Sequence, residues 1–549
     1  MTSRRYVALA VLAGAVPLAV LTVFFVVPVL GMLERGFFPD GRLDLPGVAE
    51  ALWRPRVGDV VWFTLWSAGL ATTITVLLGV PTAYVLYRLS FPGQGLLRGL
   101  VTVPFVLPTV VVGVAFRTLL AAGGPFGALG LDGTPVAIVA ALVFFNVSVV
   151  VRTVGPWWAG MDSRREEAAA ALGASPVQVL RTVTLPALLP AVLSAASVVF
   201  LFCATAFGVV LTLGGVRYAT VETEIYLLTT QFLDLQGAAA LSVLQIVVVV
   251  GLLVVAGRTR RTREVAVDRA ARRTTARRPR RSDLPALGVT GLVLALVVVP
   301  VTALVARSLT VDGRWSTAHY RALAGDGDGT ALLVPVTQAL ENSVRVAIDA
   351  TALALALGLV VSVLLTRRVS RPWPRRFLGA FDGIFMLPLG VSAVTVGFGF
   401  LVTLDRPPFD FRGDPALVPI AQAMVALPLV VRTIVPVLRS IDNRQREAAA
   451  TLGAAPLRVI GTVDLPVVWR PVLAAAGFAF AVSLGEFGAT SFLARPEAPT
   501  LPVVIYQLVS RPGAENFGMA LAGSVVLGVF TAGVMVAVER LRVGSMGAF

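Results

Sequence analysis

Residues 167–173 read Glu167-Ala168-Ala169-Ala170-Ala171-Leu172-Gly173, and Leu185-Pro186 follows. Residues 447–453 read Glu447-Ala448-Ala449-Ala450-Thr451-Leu452-Gly453, and Leu465-Pro466 follows. Both copies place a glycine six positions after the glutamate and Leu-Pro eighteen positions after it. Each reads as a short helix whose acidic first turn suits the helix dipole. Gly173 or Gly453 then supplies a left-handed stop. A second short helix opens with Pro176 or Pro456 in its first turn. Ser175 is placed to cap it in the first copy, whereas Ala455 stands there in the second, so the two caps are expected to differ. An exposed, kinked helical pair is shaped for docking. The bland alternative is a passive loop in an alanine-rich chain, its spacing kept by duplication alone.

The repeat extends outward from this motif. Val150-Val151-Arg152-Thr153 recurs as Val430-Val431-Arg432-Thr433 at an offset of 280. At that offset Leu107-Pro108 matches Leu387-Pro388, Phe207-Gly208 matches Phe487-Gly488, and Thr220 and Tyr226 match Thr500 and Tyr506. Gly79 and Arg88 match Gly358 and Arg367 at 279. The chain is therefore two homologous halves.

The 549 residues are 56% apolar and only 14% charged, about half the charge of a soluble protein. A helix crosses the ~30 Å hydrocarbon core with about 20 apolar residues. Runs of that length lie near 6–33, 60–87, 99–121, 135–158, 187–212 and 237–257, then near 285–306, 341–366, 377–403, 415–438, 467–492 and 517–539. The expected fold is an all-α polytopic membrane protein of about 12 spans, as two six-helix halves. Pro28, Pro81, Pro104, Pro108 and Pro388 are compatible with membrane helices. Six spans is even, so the halves form a parallel repeat with a translocation path between them. The first run follows Arg4 and Arg5 like a signal peptide, but it is too long for one and is read as a retained span.

All 46 basic residues are arginine. With both termini in the cytoplasm, 32 arginines fall on the inner side and 14 on the outer side, as the positive-inside rule requires. Arg367, Arg368, Arg371, Arg375 and Arg376 form one inner cluster. Residues 258–281 carry eleven arginines against Glu264 and Asp268. With no aromatic interleaving, this run reads as a linker near anionic headgroups rather than a nucleic-acid site. The organisation is a first half at 1–257, a linker at 258–284 and a second half at 285–549.

The absence of lysine excludes a P-loop lysine, a Schiff base and a lysine general base. One cysteine and one histidine cannot build a disulfide framework or a Cys/His zinc site. No cofactor or metal is expected on this chain.

The pattern E-A-A-x(3)-G-x(11)-L-P resembles the EAA loop of ABC-importer permeases. Two such loops in one chain resemble the fused permeases of the thiamine and iron(III) importers. Phe91-Pro92-Gly93, Phe144-Phe145-Asn146, Leu211-Thr212-Leu213-Gly214-Gly215 and Thr500-Leu501-Pro502 favour the thiamine type. Gly485-Glu486-Phe487-Gly488-Ala489-Thr490 is similar also to oxyanion permeases. The resemblance implies a type I importer fold in a bacterial cytoplasmic (inner) membrane. It implies two partners, a cytoplasmic ABC ATPase dimer that holds ATP and Mg, and an extracytoplasmic substrate-binding protein. Glu167, Ala168, Ala169, Gly173 and Pro186, with Glu447, Ala448, Ala449, Gly453 and Pro466, would then couple to the ATPase, the two glutamates anchoring the loops. A 6+6 secondary transporter is the more distant alternative. It would need buried acidic or histidine residues for proton or sodium coupling, whereas the single histidine lies in an outer loop, and it leaves the EAA loops unexplained.

Candidates for the path are Glu486, Phe487, Phe207, Asn146, Tyr226 and Tyr506. A carboxylate beside aromatics suits a cation, but Glu486 is as well read as a structural bond, its counterpart being Ala206. Asn146 and Ser148 read as interhelical hydrogen bonds, Tyr226 and Tyr506 as interfacial belt residues, and Arg345 with Asp349 as a neutralising pair. Loops near 33–59, 213–236, 307–339 and 493–516 offer Arg217, Glu222, Glu224, Asp234, Arg495 and Glu497 to a binding protein.

Overall fold

The computed structural model describes residues 14–261, 276–325, 327, 331–366, 391–404, 410–411 and 414–546. In the first half the helices that matter here are α1 (Gly14–Phe37), α2 (Pro55–Arg88), α3 (Gln94–Val106), α4 (Thr109–Leu120), α5 (Pro135–Ala159), α6 (Arg164–Ala171), α7 (Pro176–Ala204), α8 (Gly208–Gly214), α9 (Val221–Thr230) and α10 (Leu235–Arg261). The second half supplies α11 (Arg281–Ser308), α12 (Val336–Thr366), α13 (Ala393–Thr403), α14 (Leu417–Ser440), α15 (Asn443–Thr451), α16 (Leu457–Leu484), α17 (Thr490–Leu493), α18 (Leu501–Ser510) and α19 (Ala514–Met546). Among the described residues nine helices are long and apolar enough to cross a membrane. The fold is all-α and polytopic. Arg367–Arg376, Leu387-Pro388 and most of the linker lie outside the described residues.

The expected span at 99–121 is not one continuous helix. It breaks between α3 and α4, which are bent by 104°. Leu107, preceding Pro108, has ψ 135 and cannot continue the helix. A proline disfavours helical geometry at its predecessor, and here the helix breaks, whereas Pro81 and Pro104 lie inside helices.

The chain packs as two compact units, one of Leu52–Leu227 and Val247–Ala318, the other of Met1–Ala51, Leu228–Ile246 and His319–Phe549. Repeat halves and packing units therefore differ. Span α11 opens the second half in sequence, yet Val293 and Val297 are buried against α2 and α5 of the first half. Reciprocally, α1 packs on α13 of the second half, with Phe24 and Phe400 ring centroids 5.9 Å apart.

Within each unit the same contacts recur. A β-carbon on Gly79 of α2 would lie 2.7 Å from Val150 of α5, and one on Gly358 of α12 would lie 2.6 Å from Val430 of α14. These glycines recur because two helices approach too closely for a side chain. A second repeated tie joins α9 to α2, where Thr64 Oγ1 accepts from the Val221 N–H at 3.0 Å. Its copy joins α18 to α12, where Ser343 Oγ accepts from the Leu501 N–H at 2.7 Å. Each hydroxyl satisfies an amide that the helix start leaves unpaired.

Gly79→Ala and Gly358→Ala are each expected to lower thermal stability by about 1–3 kcal/mol through overpacking. Gly69→Ala, where a β-carbon meets nothing within 4 Å, is expected to leave the unfolding temperature unchanged or raised. Unfolding of purified protein in detergent checks all three.

Candidate functional site

The two EAA stretches form the same object twice. Helix α6 ends at Gly173 with φ +88, and α15 ends at Gly453 with φ +84. This is the left-handed stop that glycine adopts without strain. Each stop presents one leucine to solvent, Leu172 at 90% and Leu452 at 88% exposure. Ser175 caps the following turn in a capping box with Gln178, accepting at 3.4 Å and donating its N–H to Gln178 Oε1 at 2.8 Å. Ala455 has no side-chain oxygen to do this. One wide π turn, Leu180–Thr184 or Ile460–Asp464, then leads into Leu185-Pro186 or Leu465-Pro466.

Glu167 and Glu447 point to solvent, as do Ala168 and Ala448, while Ala169 and Ala449 are half-buried. The internal anchor is instead the residue before each glutamate, which the sequence reading missed. Glu166 pairs with Arg88 at the end of α2 and accepts from Thr184 Oγ1 at 2.9 Å. Its counterpart Arg446 pairs with Asp464 at 2.7 Å and donates to the Leu438 carbonyl at 2.9 Å. The position of the tie is shared, but its polarity is reversed. The signal was available in sequence as Glu166/Thr184 against Arg446/Asp464 at the same offset.

The path candidates pair off symmetrically. Phe207 and Tyr226 have ring centroids 5.4 Å apart, and Phe487 and Tyr506 have theirs 5.5 Å apart. Both phenylalanines are buried and both tyrosines half-buried. Asn146 is buried and donates to the Leu142 carbonyl at 2.9 Å and to Cys203 Sγ at 3.4 Å. Its bonds run within α5 and across to α7. Glu486 is also buried. Its carboxylate accepts from the N–H of Ala489 at 2.8 Å, the N–H of Thr490 at 3.1 Å and Thr490 Oγ1 at 2.5 Å. Gln422 of α14 then donates to Thr490 Oγ1 at 3.2 Å. Of its two sequence readings, the geometry is that of a structural bond capping α17.

Expectations are corrected at Glu222 and Glu224 and at the Arg345–Asp349 pair. Glu222 and Glu224 are 0% and 1% exposed, so they offer nothing to a docking partner. They lie in the first turn of α9, and Glu224 is held by Arg56 of α2 at 2.5 and 2.7 Å. Asp234 is half-buried and takes the Gly237 N–H at 2.8 Å, whereas Arg217 and Glu497 are exposed. Arg345 reaches back to Glu341 at 3.5 Å rather than forward to Asp349, both partners being exposed.

The family of binding-protein-dependent transport system inner membrane components matches the chain twice, at residues 75–261 and 354–542. The chain belongs to that family. Both matches begin after the first span of their half. This permease carries its two family regions in one polypeptide, the fused arrangement of an ABC importer. It is 27% identical over 512 residues to the thiamine transport system permease protein of Brucella abortus, covering 91% of this chain and 89% of that one. The corresponding Escherichia coli K12 protein is 26% identical over 485 residues, 85% of this chain and 86% of its own. The molybdenum transport system permease protein of Haemophilus influenzae is 35% identical over 196 residues, 32% of this chain and 82% of its own. Membership answers the alternative of a secondary transporter.

Glu486→Ala is expected to destabilise the permease by about 1–3 kcal/mol, because buried donors lose their acceptor. Thermal unfolding checks it. Loss of uptake with an unchanged unfolding temperature would mean that the carboxylate meets cargo instead.

Proposed function

We propose that this permease imports thiamine, driven by a separate ATPase that docks on the two EAA loops. Thiamine is supported by relatives named for thiamine transport that align along most of the chain. The observation that carries the docking assignment is the repeated helix–glycine–helix with a nearly fully exposed leucine at each tip. An isolated exposed leucine needs no explanation. Two at matched positions of a duplicated loop, each set by a left-handed glycine, mark a surface kept for a partner.

In this reading both loops, both termini and the arginine-rich linker are cytoplasmic in an inner membrane. ATP and Mg belong to the partner, since a chain without lysine cannot form the ATPase's phosphate loop. Closure of the ATPase pair pulls the two loops together, and each loop passes the motion to α7 or α16 through Leu185-Pro186 or Leu465-Pro466. ATP shifts the equilibrium only by as much as the two states differ in their contacts with the loops. The substrate-binding protein delivers thiamine on the opposite face, where Arg217 and Glu497 are exposed.

Glu486 is committed to its own backbone, so recognition falls to aromatic faces. Phe207 with Tyr226 and Phe487 with Tyr506 are the pairs proposed to meet the thiazolium ring by cation–π attraction, worth about 0.5–2 kcal/mol each.

Leu172→Asp and Leu452→Asp are each expected to reduce ATP-driven thiamine uptake at least about tenfold, the effect of losing one apolar anchor. Amounts in the membrane should not change. Uptake of labelled thiamine by vesicles holding permease, ATPase and binding protein measures this, with Fe³⁺ as the competing cargo. Undiminished uptake by both variants would overturn the docking assignment, and Fe³⁺ uptake without thiamine uptake would overturn the substrate.

A further inference from the structure

The two EAA loops are not held in the same way. In the second, Arg446 and Asp464 lie eighteen residues apart on either side of the loop and pair with each other. In the first, Thr184 stands where Asp464 does, and the charge opposite Glu166 comes from outside the loop, from Arg88 at the end of α2. Arg88 is the last residue of its helix, where backbone carbonyls lack partners and helices fray. Something must hold that end if Arg88 is to hold Glu166.

The chain leaving the arginine-rich linker does so. Arg277 lies alongside Leu89 as a short parallel bridge. Its N–H donates to the Arg88 carbonyl at 3.2 Å, and its carbonyl accepts from the Ser90 N–H at 2.8 Å. Its guanidinium makes two bonds to the Asp283 carboxylate, both 2.8 Å, and one to Tyr84 Oη at 2.7 Å. Tyr84 donates to Asp283 at 2.9 Å, and the Arg280 N–H closes the turn on Asp283 at 2.7 Å. Asp283 is 4% exposed, so this is a satisfied network rather than a loose surface pair. The Tyr84 ring also packs on Trp158 of α5, centroids 5.2 Å apart, just before the loop. The strap therefore reaches both the entry to the first loop, at Trp158, and its ionic tie, at Glu166.

Among the described residues the second half has no such cluster. Val363 and Leu438 stand at the positions of Tyr84 and Trp158. We propose that residues 277–283 are a strap, with Arg277, Tyr84 and Asp283 as positioning residues, that fixes the end of α2 and so sets the first EAA loop for its ATPase partner. The proposal deepens the coupling role above and rests on it for its effect on transport. It gives the linker's far end a task beyond tethering: the first loop is set by the segment that joins the halves.

The test reads the two loops separately. Cys203, the chain's single cysteine, is buried, so a nitroxide placed through Ala170→Cys or Ala450→Cys, both exposed beside the tips, reports its own loop. The permease–ATPase complex in nanodiscs is compared with and without Arg277→Ala or Asp283→Ala. The label at 170 is expected to gain mobility, its loosened population rising about fivefold, while the label at 450 does not change. Arg277→Lys, which keeps the charge, should hold the 170 label nearer the parent. ATP hydrolysis stimulated by the binding protein is expected to fall about fivefold with the same variants. Equal mobilisation of both labels would reveal general destabilisation and overturn the strap, as would no change at 170. Mobilisation at 170 alone with unchanged stimulated hydrolysis would uphold the strap and overturn the coupling role of that loop.

Discussion

A chain in hydrocarbon has no water to satisfy its backbone, so each amide must find its partner inside the protein. That constraint leaves helices as the working material, and it makes each break in a helix a place where a side chain has to intervene. The breaks in this permease follow that rule. Thr64 and Ser343 take the amides that open α9 and α18. Glu486 takes those of α17. At the end of α2, Gln94 donates to the carbonyls of Leu86 at 2.7 Å and Leu89 at 2.6 Å, and Arg277 donates to that of Arg88. Several of the polar side chains in so apolar a chain are therefore engaged at helix ends.

Duplication set the frame, and divergence then acted on the ties. The close approach at Gly79 and Gly358, the hydroxyl ties and the aromatic pairs are the same in both halves. The fastenings of the EAA loops are not: Glu166 faces Arg88 where Arg446 faces Asp464, and Ser175 caps where Ala455 cannot. The tips, Leu172 and Leu452, remain alike.

Much of this was legible in the sequence. The glycine six residues after each glutamate announced a left-handed stop and Ser175 announced its cap, whereas Gly79 and Gly358 were matched as repeats and only the fold shows their close packing. What hydropathy cannot carry is partnership. It marks α11 as a span without saying that Val297 packs with the first half, and it reads residues 213–236 as a loop without saying that Glu222 and Glu224 are buried. Pro108 looked like Pro81 because proline in a membrane helix bends or breaks according to the neighbours that re-satisfy its carbonyls. The anchor at Glu166 was hidden by the more familiar Glu167. Tyr84 and Arg277 are separated by 193 residues in the chain and meet only in the fold.

The central claim is that this polypeptide is a whole gate with two sites for a motor it does not contain. The most direct measurement is the composition of the complex isolated from native membranes through a tag on the permease, by mass of the intact assembly. The account predicts one permease chain with two copies of an ATP-binding subunit. A permease that transports its cargo with no such subunit in the isolated assembly would contradict it.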